Sequence, residues 1–194
     1  LISLSDYIAA MPEKQEKIYT LSAETAEQAQ TSPHLEGFRA RDIDVLLMTD
    51  PVDEFWMQAI NEFEGKAFAS ASRGAIDLDE IATKSSSDDI DTAPADDAEL
   101  APLLAKVKTI LGDTVKDVRL SKTLTDSPVC LVADEDGMDI QMERLMKAHN
   151  KDFSGSPRIL ELNPSHELIT GLKDKIKADK DPDLVHDAAV EFNG

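Results

Sequence analysis

Few side chains in this sequence could do chemistry, and their spacing matters more than their number. The histidines are His34, His149, His166 and His186, and no two lie within helical reach of each other. A local HExxH-type metal site is therefore absent from the sequence. Ser165-His166-Glu167 has the residue types of a hydrolytic triad. Sequence neighbours do not make a triad, so the segment reads as a helix start beside a surface histidine. Asp134-Glu135-Asp136-Gly137, with Glu143 further on, has some of the acidic spacing of a calcium loop, but its first ligand position would fall on Val132. The acids read instead as the negative first turn before a helix at Met138. The single cysteine, Cys130, lies in an apolar run with no neighbouring base and reads as an inert thiol. It excludes an internal disulfide and a CxxC zinc site. The eight glycines are never closer than Gly65 and Gly74, so neither GxxxxGK nor GxGxxG exists here. No catalytic, cofactor or metal residue is assigned.

What positions these residues reads as two folded regions joined by an acidic stretch. Residues 1–73 alternate between helix and strand. Ser3 caps a first helix that stops near Pro12, and Lys17 to Leu21 is a strand. Glu24 to Gln30 is helical, and Pro33 opens a further helix through Phe38. Asp44 to Met48 is a near-continuous apolar strand, the pattern of one covered on both faces. Asp50-Pro51-Val52-Asp53 starts the next helix, with Asp50 as cap and Pro51 at its first position. This order predicts a small parallel α/β sandwich. From residue 99 onward the pattern is α+β with a small sheet. A helix carries Leu100, Leu103, Leu104, Val107, Ile110 and Leu111 on one stripe and stops at Gly112. Strands follow at Asp117–Leu120, Val129–Val132 and Arg158–Leu162. Helices are expected at 138–149, 167–178 and 183–192.

The charge is unevenly distributed. The 194 residues carry 39 acids and 20 bases, a net charge of -19. Residues 1–73 net -7, residues 74–99 net -8 and residues 100–194 net -4. The stretch 74–98 is thus an acidic linker, short of the apolar area that offsets ordering entropy. Its Ile76, Leu78 and Ile81 could still tack a turn onto a neighbour. No basic patch supports nucleic-acid binding, nor docking on an anionic membrane. No apolar run approaches the roughly 20 residues of a membrane span. The chain opens on Leu1 and is read as a piece of a longer protein.

Two apolar groups remain. At about 100° per residue, Met138, Met142, Leu145 and Met146 share one helix face, with Ile140 and Lys147 opposite. Such a stripe either covers the sheet or binds apolar segments of a partner. On the helix after Pro51, Trp56, Ile60 and Phe63 share a face and read as core, with Phe55 and Met57 at its flanks.

Several stretches in order resemble one family. They are Ser32-Pro33-His34-Leu35-Glu36, Asp42 to Leu47, and Pro51-Val52-Asp53-Glu54-Phe55-Trp56. Further on come Val118 to Ser121, Leu124-Thr125-Asp126-Ser127-Pro128, and Leu160-Glu161-Leu162-Asn163-Pro164-Ser165-His166. The run resembles the heat shock protein 90 chaperone family, in its bacterial high-temperature protein G branch. The resemblance implies that residues 1–73 are the last α/β part of a middle domain. Residues 99–194 would be the C-terminal domain, truncated at its end.

It further implies a cytoplasmic, stress-responsive, homodimeric chaperone driven by ATP and Mg, both bound in parts of the protein outside this chain. This piece would then have no cofactor and no enzyme activity of its own. The dimer bundle is incomplete where the chain stops at Val190 to Gly194. The partners implied are unfolded or partly folded client proteins. The client-binding residues carried over are Phe55, Trp56, Met138, Met142, Leu145 and Met146, which turns the methionine stripe from cover to contact surface. The alternatives are an α/β enzyme domain binding a small ligand at the sheet ends, and a purely structural dimerisation module.

Overall fold

The computed structural model describes residues 2–73, 76, 78, 81, 97–134, 137–150, 155–177 and 188. In the first region, Ser3 caps α1 (Leu4–Ala10) by accepting the Asp6 N–H at 3.1 Å. Tyr7 points from α1 into the fold. Its hydroxyl donates to the Asp44 carbonyl at 2.7 Å and accepts from Gln15 Nε2 and the Tyr19 N–H. One phenol thereby fixes the helix to the following strand, β1 (Lys17–Ser22).

Next come α2 (Ala26–Gln30), a 3-10 turn at Pro33–Leu35, and α3 (Glu36–Ala40). The strand β2 (Leu46–Met48) then leads into α4 (Pro51–Ala59). The expected cap on α4 is present. Asp50 Oδ1 accepts the Val52 N–H at 3.0 Å, and Asp53 Oδ2 accepts the Asp50 N–H at 3.1 Å.

The helix ends at Ala59, earlier than the apolar phase predicted. Residues 62–70 form a hairpin, β3 (Glu62–Phe63) and β4 (Lys66–Ser70). Its turn places both Glu64 (φ 49°) and Gly65 (φ 75°) in the left-handed region, the requirement of a tight two-residue turn. The four strands run in the order β2-β1-β4-β3. β1 is parallel to both β2 and β4, while β3 and β4 are antiparallel. The α/β layer is as expected, with two corrections. β2 is an edge strand, and its Leu46, Leu47 and Met48 are each half-buried, less covered than the apolar run implies. Trp56, Ile60 and Phe63 do not share a helix face, because Ile60 ends α4 in extended geometry, 37% exposed, and Phe63 is on β3.

The core of this sheet contains Tyr19, Leu21, Leu35, Phe38 and Ile43, with Tyr19 and Phe38 edge-to-face at 4.9 Å. Leu78 and Ile81 are buried in the same core, and the Ile81 N–H donates to the Leu78 carbonyl at 3.1 Å. These side chains of the acidic stretch do tack onto a neighbour. Of the predicted linker 74–98, residues 74, 75, 77, 79, 80 and 82–96 lie outside the described residues, and Asp97 and Ala98 begin the next helix.

In the second region, α5 (Asp97–Leu111) lays Leu100, Leu103, Val107 and Leu111 on a three-stranded sheet of β5 (Val115–Leu120), β6 (Val129–Val132) and β7 (Arg158–Leu162). Gly112 ends α5 at φ 53°, the left-handed stop expected of it. The order is β5-β7-β6, with β5 and β7 parallel and β6 and β7 antiparallel. α6 (Ile140–His149) lies between β6 and β7 in sequence, and α7 (Glu167–Lys177) follows β7. Ile169 and Leu172 of α7 complete the core with the fully buried Leu160 and Leu162. His166 begins α7 by accepting the Leu168 N–H on Nδ1, a capping role. Of the helix expected at 183–192, only Ala188 is described; it is helical and packs on this core. No helix among the described residues is long and apolar enough to cross a membrane.

Candidate functional site

The helix α6 carries most of the candidate residues, and its burial runs against its pattern. Its one fully buried side chain is a carboxylate, Glu143, at 4% exposure. Lys147 pairs with it at 2.7 Å, one turn on. Gly155 makes room for it, since a Cβ there would sit 1.6 Å from Oε1. Met142, Leu145 and Met146 are only half-buried. Met138 is 37% exposed and lies outside the helix, because the cap is Asp139 and not the acidic run before it. Asp139 Oδ1 accepts the Gln141 N–H at 3.1 Å. Asp134 instead pairs with Lys116. The predicted start at Met138 is thus two residues early, and Met138 lies in the loop before the helix.

The second group sits on α4. Phe55 is 57% exposed and Val52 59% exposed, while Trp56 is half-buried and edge-to-face with Phe68 of β4 at 5.4 Å. Trp56 therefore anchors α4 on the sheet, and Phe55, one position earlier, is turned outward. Leaving such a side chain exposed forgoes roughly 1.5–3 kcal/mol of burial.

Between the two sheets lies a cavity of about 200 Å³, lined by groups that could do chemistry, among them His34, Arg73, Arg119, Cys130 and Glu161. Their geometry disarms two pairs. Glu161, 5% exposed, takes both Arg119 Nε and Nη2 on Oε1, at 3.0 and 2.9 Å, and the Ser121 hydroxyl on Oε2 at 2.9 Å. Cys130 does have a neighbouring base, contrary to its sequence context, for His34 Nδ1 lies 3.5 Å from Sγ. Burial pushes the thiol up to about 12, with Glu161 and Glu36 adding to the rise. Desolvation holds the His34 imidazole down at about 4, Arg158 adding to the fall and Asp139 opposing it. The two therefore do not form a thiolate–imidazolium pair near neutral pH. Among the described residues, no three His, Cys, Asp or Glu side chains gather as a metal site.

What the residue patterns missed is the seam that joins the two sheets. Glu36 accepts the backbone N–H groups of Thr125, Asp126 and Ser127, together with the Ser127 hydroxyl. Asn163, 2% exposed, holds the same loop from the other side, through the Ser127 and Pro128 carbonyls. Ser70 and Ser72 reach Asp139. Glu36, Ser127 and Asn163 all lie in the stretches that carry the family resemblance, which was the available signal.

The sequence model of the Hsp90 protein family matches residues 1–192. The chain is 50% identical over 189 residues to the chaperone protein HtpG of Roseobacter denitrificans, covering 96% of this chain and 30% of that protein. It is 44% identical over 191 residues to the chaperone protein HtpG of Paramagnetospirillum magneticum, covering 97% and 30%. Against that of Mesorhizobium japonicum it is 44% identical over 196 residues, covering 98% and 31%. The chain thus spans about three tenths of the length of these relatives. With a family match running through both sheets and the seam between them, the chain belongs to the Hsp90 protein family.

Proposed function

We propose that this chain supplies client-binding surface to an ATP-dependent molecular chaperone. Unfolded or partly folded polypeptides would rest on Met138, Met142, Leu145 and Met146 and on Phe55 beside Trp56. The observation that carries the reading is the inverted burial of α6, which hides Glu143 and leaves its methionines half-open. Methionine suits such a surface, because its flexible, polarisable side chain adapts to varied apolar segments. In this reading residues 1–73 close a middle domain, residues 74–98 link it onward, and residues 99–194 open the C-terminal, dimer-forming domain. ATP and Mg are held by parts of the longer protein, which works as a homodimer in the cytoplasm.

The test pairs two titrations of the chain. A fluorescently labelled, permanently unfolded polypeptide should bind saturably, and ATP with Mg should not. Saturable ATP binding would favour the small-ligand enzyme reading and place the nucleotide site here.

A further inference from the structure

If packing does not bury the apolar side of α6, something else must hold the helix. A ten-residue helix is marginal in water without tertiary support. Among the described residues, polar support for the helix converges on Asp139. One carboxylate oxygen caps the helix, with Oδ1 accepting the Gln141 N–H. The other is held from the first sheet: Oδ2 accepts the Ser70 hydroxyl at 2.5 Å and the Ser72 hydroxyl at 2.7 Å. Ser70 ends β4 and Ser72 is 3% exposed. The backbone beside them is locked as well, since the Ala133 N–H donates to the Ser72 carbonyl at 2.9 Å and Arg73 bridges Ala133. A further ion pair, Arg144 to Glu24 at 2.9 Å, is exposed on both sides and contributes little.

From this geometry we infer that Ser70, Ser72 and Asp139 form a positioning clamp for the client helix. They fix α6 to the end of β4 through charge-assisted hydrogen bonds, so attachment does not rest on its half-buried apolar side chains alone. Met142, Leu145 and Met146 are thereby left for a client. The same carboxylate ends β4's reach and begins α6, so the first sheet and the client helix share one rigid joint. The inference rests on the reading of α6 as a client surface, but the clamp itself can be tested without a client.

The experiment is amide hydrogen exchange on the chain, alongside affinity for the same unfolded polypeptide. Ser70→Ala with Ser72→Ala removes both donors and leaves the Asp139 cap intact. The amides of α6 should then exchange at least about tenfold faster, as the loss of two charge-assisted bonds requires. Those of β7 should be unchanged, and client affinity should fall. Ser70→Thr with Ser72→Thr, which keeps both hydroxyls, should restore both readouts. If the alanine pair does not fold, Asp139→Asn decides in the same readouts, because Asn caps as well as Asp but lacks the second anionic oxygen. Unchanged α6 exchange in a folded variant overturns the clamp. Faster exchange with unchanged client affinity overturns its positioning role. An unmodified chain that binds no polypeptide overturns the client reading instead, and leaves the exchange result standing.

Discussion

The carboxylate of Glu36 accepts the backbone N–H of Ser127 at 3.1 Å, across 91 positions of sequence. With the Thr125 and Asp126 N–H groups each at 2.9 Å, the same side chain satisfies three successive amides of the loop between β5 and β6. The next residue, Gly37, lies directly against Thr123 of that loop. At this part of the seam the two regions meet through one anion sitting in a nest of amides and one glycine that permits the approach.

Glu36→Gln keeps the shape and removes the anion, and its amide NH2 would face N–H groups. Losing the charged acceptor should cost on the order of 1–3 kcal/mol, read as a lower urea midpoint at pH 7. Acid dependence follows from the same bonds. Burial alone would raise the Glu36 carboxyl, but the bonds from Ser127, Asp126 and Thr125 outweigh it and hold the carboxyl below its ordinary 4.5. The contribution is therefore complete above 4.5 and is lost as pH falls through the lower folded value. The unmodified chain should show this acid limb, and Glu36→Gln should flatten it. An equally steep limb in the variant would contradict the assignment.

Gly37→Ala tests the close approach. A Cβ there would lie 2.7 Å from the Thr123 carbonyl oxygen and 2.8 Å from its Cβ, so the loop backbone must move. The expected loss is about 1–3 kcal/mol by urea unfolding. Because both residues act on one seam, Glu36→Gln and Gly37→Ala together should destabilise by less than their sum. Full additivity would mean that they act independently.

Cys130 and His34 should both be silent near neutral pH. Iodoacetamide at pH 8 should leave the folded chain unlabelled and label Cys130 fully in denaturant. The His34 ring signals should not shift between pH 5 and 8. A histidine held at about 4 when folded and 6.5 when unfolded lets the unfolded chain take the proton first. Stability should therefore decline as pH falls from 6.5 toward 4, in proportion to that difference. Rapid labelling of the folded chain would contradict the buried thiol.

Local features were legible in the residues. Asp50, Pro51 and Asp53 announce the start of α4, Gly112 announces the end of α5, and the Leu100 to Leu111 stripe announces its buried face. In each case the physics lies within a few residues: a cap, a left-handed stop, a helical period. The β3–β4 hairpin was hidden because Glu64-Gly65 is a weaker turn signal than Asn-Gly, and because Phe63 falls in phase with Trp56 and Ile60 as if the helix continued. The cap of α6 was misplaced because Asp134, Asp136 and Asp139 are all plausible caps, and only the fold selects the one that Ser70 and Ser72 can reach. The candidate surface was half legible. A methionine stripe looks the same whether it covers a sheet or faces a partner, and the burial of Glu143 on this helix depends on Gly155, twelve residues away. The contacts of Glu36 with Ser127 and of His34 with Cys130 span more than 90 positions, beyond any local pattern.

The most direct test of the client surface is binding of the labelled unfolded polypeptide to the chain and to a variant carrying Met142→Asp and Met146→Asp. Both side chains are half-buried on α6, so circular dichroism must first show that the variant is folded. The predicted result is saturable binding by the chain, with affinity lowered at least about tenfold in the variant, since each lost apolar contact is worth ~1.5–3 kcal/mol. A folded variant that binds the polypeptide as tightly as the chain does would contradict the account.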